Sequence, residues 1–324
     1  MIGDLIDSHF SRNERKGILL TFLFSLLYIL YSYYSIGIKN DQVILVLLVN
    51  VSYILNGVWR RFILAFLIFI VYWVIFDSMK LYPNFKFADV NIEGLYLLEK
   101  SLFGFNNGTE LITPNEYFIK NHNPLLDSLG AIFYLSWVPV PLMFAFYLFL
   151  KFPSEFLRFA LAFFVTNIVG FIIYYLYPAA PPWYVELHGF ELDESTKSYA
   201  AGLLRFDKLI GVGLFENMYA KGSNVFAAMP SLHAAYPVLG FYYSYKFGHK
   251  KIAMIFFTFI LGIWFSAVYL THHYILDILA GLLCAIIGIF LFEKIFITRP
   301  TIKKWLQNYE ALISQSSVQT KIKK

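Results

Sequence analysis

Charge is scarce in this chain. Only 15% of its 324 residues are Asp, Glu, Lys or Arg, against 59% hydrophobic and 20% aromatic. A soluble fold of this length has no way to bury so much apolar surface. Cysteine is nearly absent: Cys284 stands alone, inside an apolar run. An intrachain disulfide and a thiolate-built metal site are therefore excluded, and packing is the role expected of it. There is no H-E-x-x-H pair, no internal repeat and no low-complexity tract. The strand alternation of an outer-membrane barrel is missing as well. The net charge of +5 sits mostly in short loops and the tail, which reads as membrane orientation and not as a nucleic-acid footprint. Met1 to Lys16 is polar and of mixed charge, unlike a cleavable signal, so the first apolar run is expected to act as an uncleaved anchor.

What the chain does have is apolar runs of membrane length. They lie near 17–38, 42–57, 62–78, 128–150, 155–177, 231–248, 252–270 and 273–296. The expected fold is an all-α polytopic membrane bundle with about eight crossings. The 42–57 run is the shortest and carries Asn50; if it does not cross, the N-terminus changes side and the last six helices keep theirs. The expected organisation is an added hairpin in 1–61, a six-helix core in 62–296 and a tail in 297–324. Two polar stretches interrupt the core, 79–127 and 178–230. The first contains apolar residues at helical spacing between Val90 and Phe103, as in a helix lying in the interface. The second begins at Pro178, Pro181 and Pro182, which must end the helix before it.

With eight crossings, 17 of the 26 basic residues fall on the side of the termini. That side is expected to be the cytoplasm. The short termini favour a bacterial cytoplasmic membrane over a Golgi membrane. On the opposite face the 178–230 loop, the start of the 231–248 run and the turn at His272-His273 then converge. His273 and Asp277 are four apart and share one face of a helix. A carboxylate there can hold one imidazole nitrogen and leave the other free to attack. His233, forty residues earlier, can protonate a leaving group. Ser231 to His233 open a helix after Pro230, so their N–H groups form an anion site. This is a two-histidine plan for moving a phosphoryl group.

At this point the chain resembles a known family. Pro230-Ser231-Leu232-His233 is similar to the second signature of the type 2 phosphatidic acid phosphatase superfamily, and Ser266-Ala267 with His273 and Asp277 to its third. The resemblance is closer to the transferase branch, the inositol phosphorylceramide synthases that confer aureobasidin resistance in fungi. Residues 177–184, 202–207, 226–233 and 269–274 carry it, with Leu97 to Gly104 more weakly. It implies a cofactor-free, metal-independent phosphotransferase. Phosphoinositol would pass from phosphatidylinositol to ceramide or a similar lipid by way of a phosphohistidine, releasing diacylglycerol. His273 would be the nucleophile, Asp277 its orienting carboxylate and His233 the general acid and base. A metal-independent phosphatase acting on phosphatidate or a polyprenyl diphosphate is the alternative. The partners implied are lipids and the bilayer; a partner subunit stays open.

The chain departs from the broad superfamily where Tyr177-Pro178, Ala267 and Leu232 stand. Two cationic phosphate clamps are unaccounted for, and Arg205 and Lys221 are the expected replacements, with Ser231 at the anion site. Asp207 either orients Arg205 or caps the segment at Leu209. Trp183 and Tyr184 either meet a head group or join an aromatic belt. His272 is expected to hydrogen-bond beside the site. Two other classes remain open: a metal hydrolase using His233, His272, His273 and Asp277, and a transporter whose histidines and aspartate relay protons.

Overall fold

The computed structural model describes residues 12–314, apart from positions 36, 56, 109, 221 and 223. It is almost wholly helical. The chain falls into two compact units, residues up to Trp73 together with Trp305 onward, and Val74–Lys304.

In the first unit, α1 (Arg12–Ser35) packs on α2 (Asn40–Ile54). Asn50, a polar residue in an apolar run, donates from Nδ2 to Ser25 Oγ at 2.7 Å and to Val46 O at 2.8 Å, as a buried amide in an apolar setting must. The start of α3 (Gly57–Ser78) is tied by Arg60, which donates to Glu14 at 2.6 Å and to Tyr53 O at 2.9 Å.

Proline opens five consecutive helices of the second unit. α5 (Pro114–Lys120), α6 (Pro124–Leu135), α7 (Pro139–Lys151), α8 (Pro153–Leu176) and α9 (Pro182–His188) each open on one, where the missing N–H costs nothing. Between α3 and α5 lies α4 (Glu93–Phe103), which exposes Leu97, Leu98 and Leu102 and buries Leu95 and Glu99. This is the amphipathic pattern of an interfacial helix. After α9 come α10 (Leu203–Ile210), α11 (Leu214–Tyr219), α12 (Leu232–Lys246), α13 (Lys250–Tyr269), α14 (Ile275–Phe290) and α15 (Pro300–Ile313). α12 is the hub, packed on α13, α14, α8 and α7. Near its C-terminal end, Glu293 accepts from Arg158 at 2.7 Å, Lys246 at 2.5 Å and Tyr243 at 3.0 Å.

Among the described residues, five helices are long and apolar enough to cross a membrane: α1, α3, α8, α13 and α14. The 128–150 run is not one helix but two. Pro139 and Pro141 break it, and α6 and α7 meet at 42°, making a sixth crossing if taken together. α2 and α12 have 15 residues each, and α12 carries Pro237 within it. The protein is an all-α integral membrane protein.

Three extended segments meet above the helix ends. Asn91 N–H donates to Pro178 O at 2.8 Å, Ala180 N–H to Asn91 O at 3.1 Å, and Ala179 N–H to Phe226 O at 2.9 Å. Buried Asn84 ties the last turn of α8 to one of these segments, donating to Tyr174 O and Phe226 O. The stretches that the sequence leaves as long polar loops are thus folded onto one end of the core.

Candidate active site

The first turn of α14 has N–H groups with no helical acceptor, and two buried carboxylates take them. Asp277 Oδ2 accepts from Tyr274 N at 2.9 Å. Glu99, fully buried on α4, accepts from Ile275 N at 3.0 Å and Leu276 N at 3.1 Å. Burial pushes the Glu99 carboxyl up from its usual range, against the pull of those two N–H groups. α14 is therefore held by a residue some 176 positions away.

Just before that turn the chain leaves α13 tightly. Leu270 O accepts from Gly202 N at 3.1 Å, and His272 N and His273 N both donate to Ala267 O at 3.0 Å. Thr271 sits in the left-handed region at φ 58°, a costly conformation for a β-branched residue. Its carbonyl is fixed by Trp183 N at 3.1 Å. Asn115 Nδ2 donates to Val268 O and His273 O, each at 3.0 Å. The turn is held from α5, α9 and the Gly202 segment at once.

His273 is not inside a helix, as its spacing from Asp277 suggests, but two residues ahead of α14. Tyr274 between them is extended (φ −73°, ψ 161°). The ring still comes back over the first turn, with Nδ1 3.4 Å from Asp277 Oδ2. Its other nitrogen, Nε2, lies 3.2 Å from His233 Nδ1. Both His273 and Asp277 are buried, at 5% and 0% exposure. Asp277 also caps α14, so orienting and capping are both open to one carboxylate.

His233 stands in the first turn of α12, where Ser231 Oγ accepts from Ala234 N at 3.3 Å. Its ring is stacked on Tyr134 at 4.9 Å and meets Trp137 edge-on at 4.5 Å. Ser231 N–H is not free for an anion; it donates to Asp277 O at 2.9 Å and joins the two helix starts. A Cβ on Gly281 would run into the Ser231 carbonyl, so glycine is what lets α14 close on α12 there. Among the described residues, the N–H groups of Leu232 and His233 have no protein acceptor. The N–H groups open at this helix start are those two, and not that of Ser231.

Arg205 is oriented by Asp127, not by Asp207. Its Nε donates to Asp127 Oδ1 at 2.7 Å, its guanidinium reaches Tyr269 O at 3.3 Å, and it lies 5.0 Å over the Tyr269 ring. Asp207 instead caps α11, accepting from Phe215 N at 3.1 Å and Glu216 N at 2.9 Å. Lys221 lies outside the described residues. His272 is clamped between Tyr134 and Tyr219, stacked at 4.8 and 5.0 Å. Burial first, and His273 beside it, push its imidazole down to about 3, so it is neutral. Trp183 and Tyr184 are 4% and 0% exposed and pack under the turn; neither faces lipid as a belt residue would. Among the described residues no three His, Cys, Asp or Glu side chains converge as metal ligands would.

Sequence reasoning missed Glu99, Asn115 and Asp127. The signal for Glu99 was a carboxylate inside the apolar Leu95–Phe103 stretch; Asn115 and Asp127 carried none, because the site residues they hold, Val268 and Arg205, are 78 or more residues distant.

The PAP2 superfamily model matches residues 109–291. A phosphoinositol dihydroceramide synthase of Bacteroides thetaiotaomicron is 40% identical over 86% of this chain and 92% of its own length. An inositol phosphorylceramide synthase of Candida albicans is 31% identical over 67% of this chain and 44% of its own length. The catalytic subunit of the same synthase from Schizosaccharomyces pombe is 28% identical over 78% and 59%. No solved structure matches. A helical membrane core, a paired-histidine turn and these matches lead to one statement: the chain belongs to the PAP2 superfamily and is a phosphotransferase of that superfamily.

Proposed function

We propose that the protein moves phosphoinositol from phosphatidylinositol to the primary hydroxyl of ceramide or dihydroceramide and releases diacylglycerol. The observation that carries this is the His233–His273 pair at 3.2 Å with Asp277 behind it, in a chain that covers nearly all of a phosphoinositol dihydroceramide synthase. His273 Nε2 attacks phosphorus and forms an N–P bond while the P–O bond to diacylglycerol breaks. His233 gives its proton to the departing oxygen. The ceramide hydroxyl then returns a proton to His233, its oxygen attacks phosphorus, and the N–P bond breaks. Asp277 stabilises the charge that appears on the His273 ring, and the Leu232 and His233 N–H groups face the phosphate oxygens. The basic residues Arg158, Lys246, Lys250 and Lys251 lie at the helix ends opposite the histidines. This supports a site on the non-cytoplasmic face.

The test uses purified protein in nanodiscs with labelled phosphatidylinositol and ceramide, and separation of the lipid products. Phosphoinositol-ceramide with diacylglycerol is the expected result. Water-soluble inositol phosphate without transfer would mean hydrolysis and would overturn the reading. Activity is expected to persist in EDTA; loss that zinc restores would place a metal in the reaction.

Arg205, preoriented by Asp127, offers its remaining N–H edge to a phosphate oxygen. Arg205→Ala is expected to lower kcat/KM about 10- to 100-fold, the scale of one charge-assisted contact. Arg205→Lys should recover little of it, because an ammonium cannot keep the Asp127 bond and reach the phosphate together. An unchanged kcat/KM in Arg205→Ala would remove it from the site.

A further inference from the structure

Next to the His273–Tyr274 segment lies a cavity of about 290 Å³. α4, α5 and α9 wall it, with Tyr274 at its base. Its size is at the lower end of the range for small-molecule sites. Its polar groups are mostly hydrogen-bond acceptors, and two of them lack partners. Asn115, 1% exposed, spends both Nδ2 hydrogens on Val268 O and His273 O, and its Oδ1 has no partner. A buried amide oxygen left unpaired is costly, so it marks a place for a donor. Glu186 stands at the open side, where no hydrogen bond or ion pair engages it among the described residues.

We infer that this cavity is the head-group subsite, in which a polyhydroxylated ring donates hydroxyl hydrogens to Asn115 Oδ1 and the Glu186 carboxyl. The inference rests on the donor assigned under Proposed function and says where its head group sits. Position supports it. Asn115 touches both the cavity and the carbonyl of His273, so the cavity adjoins the nucleophile's own backbone. Glu186 also feels Arg205, the cation assigned to the phosphate. Phosphate and ring would thus lie on neighbouring sides of one short segment.

The same walls disfavour a cationic head group. Tyr96 and Tyr274 with two carboxylates would otherwise suit an ammonium. But Lys100 already occupies the Tyr96 face at 5.1 Å and donates to its hydroxyl at 2.7 Å. Glu116 is spent on Tyr96 Oη at 2.9 Å and on Thr113 N at 2.6 Å. Neutral hydroxyl donors fit what remains.

The test is equilibrium binding of glycerophosphoinositol to the full chain in nanodiscs, by titration calorimetry, beside steady-state kinetics. Glu186→Ala is expected to weaken glycerophosphoinositol binding and raise the donor KM about 10-fold or more, with the ceramide KM within twofold. Val185→Trp, which fills the cavity without touching a histidine, should abolish that binding. Glycerophosphocholine should bind neither wild type nor variant. Unchanged glycerophosphoinositol binding in both variants, or equal binding of glycerophosphocholine, would overturn the inference. If wild type binds glycerophosphoinositol in this cavity yet transfers nothing from phosphatidylinositol, the transfer reading fails and the subsite stands.

Discussion

Protein carrying His273→Ala is expected to lose both transfer and hydrolysis, its rate falling by about 10⁴-fold or more. That is the scale on which losing a nucleophile leaves only binding and charge stabilisation. The surroundings make this a clean experiment. His273 is fixed through its backbone: its N–H donates to Ala267 O and its carbonyl accepts from Asn115. Both bonds survive in alanine. The capping of α14 by Asp277 and Glu99 uses backbone N–H groups at 274 to 276, which alanine at 273 does not disturb. The thermal transition should therefore stay near that of wild type while turnover vanishes. A second readout is covalent. Wild type exposed to labelled donor without ceramide should carry label that acid removes and base does not, as a phosphoramidate does, and His273→Ala should carry none. Retained turnover, or label unchanged in the variant, would sink the nucleophile assignment.

The helical membrane class was legible because composition and run length alone force it. The family was legible from the two histidine motifs together. The approach of His273 to Asp277 was also foreseen, but for an incomplete reason. The four-residue spacing of His273 and Asp277 suggests a shared helical face, yet His273 lies outside α14 and returns to Asp277 only because the turn at Thr271 aims it there. That turn depends on Trp183, Gly202 and Asn115, each far along the chain. Local pattern cannot carry such information. The same holds for Arg205, expected beside the phosphate from the sequence but with no hint of the Asp127 that orients it, and for Glu99, whose partners are the N–H groups of another helix. Periodicity likewise hides the break in the 128–150 run. Its residues stay mostly apolar across the break, and only Ser136, Pro139 and Pro141 hint that one crossing is two helices.

His233→Ala should lose about 10²- to 10⁴-fold in rate with phosphatidylinositol, the range for one general acid–base group. It should lose it in a pattern that packing alone cannot mimic. A glycerol alkoxide leaves poorly without a proton; an aryl oxide leaves unaided. With an aryl ester of phosphoinositol as donor, the first step in His233→Ala should recover to within about tenfold of wild type. The second step should not recover, because the ceramide hydroxyl still needs a base. The phosphoenzyme then accumulates, and a burst of aryl alcohol precedes slow transfer. His273→Ala, offered the same donor, should show no burst. The His233 ring also stacks on Tyr134 and meets Trp137, so the variant loses some packing. A purely structural defect, however, would slow both steps and ignore the leaving group. Equal losses with both donors would assign His233 to packing, and full transfer to ceramide from the aryl donor would deny it the role of base.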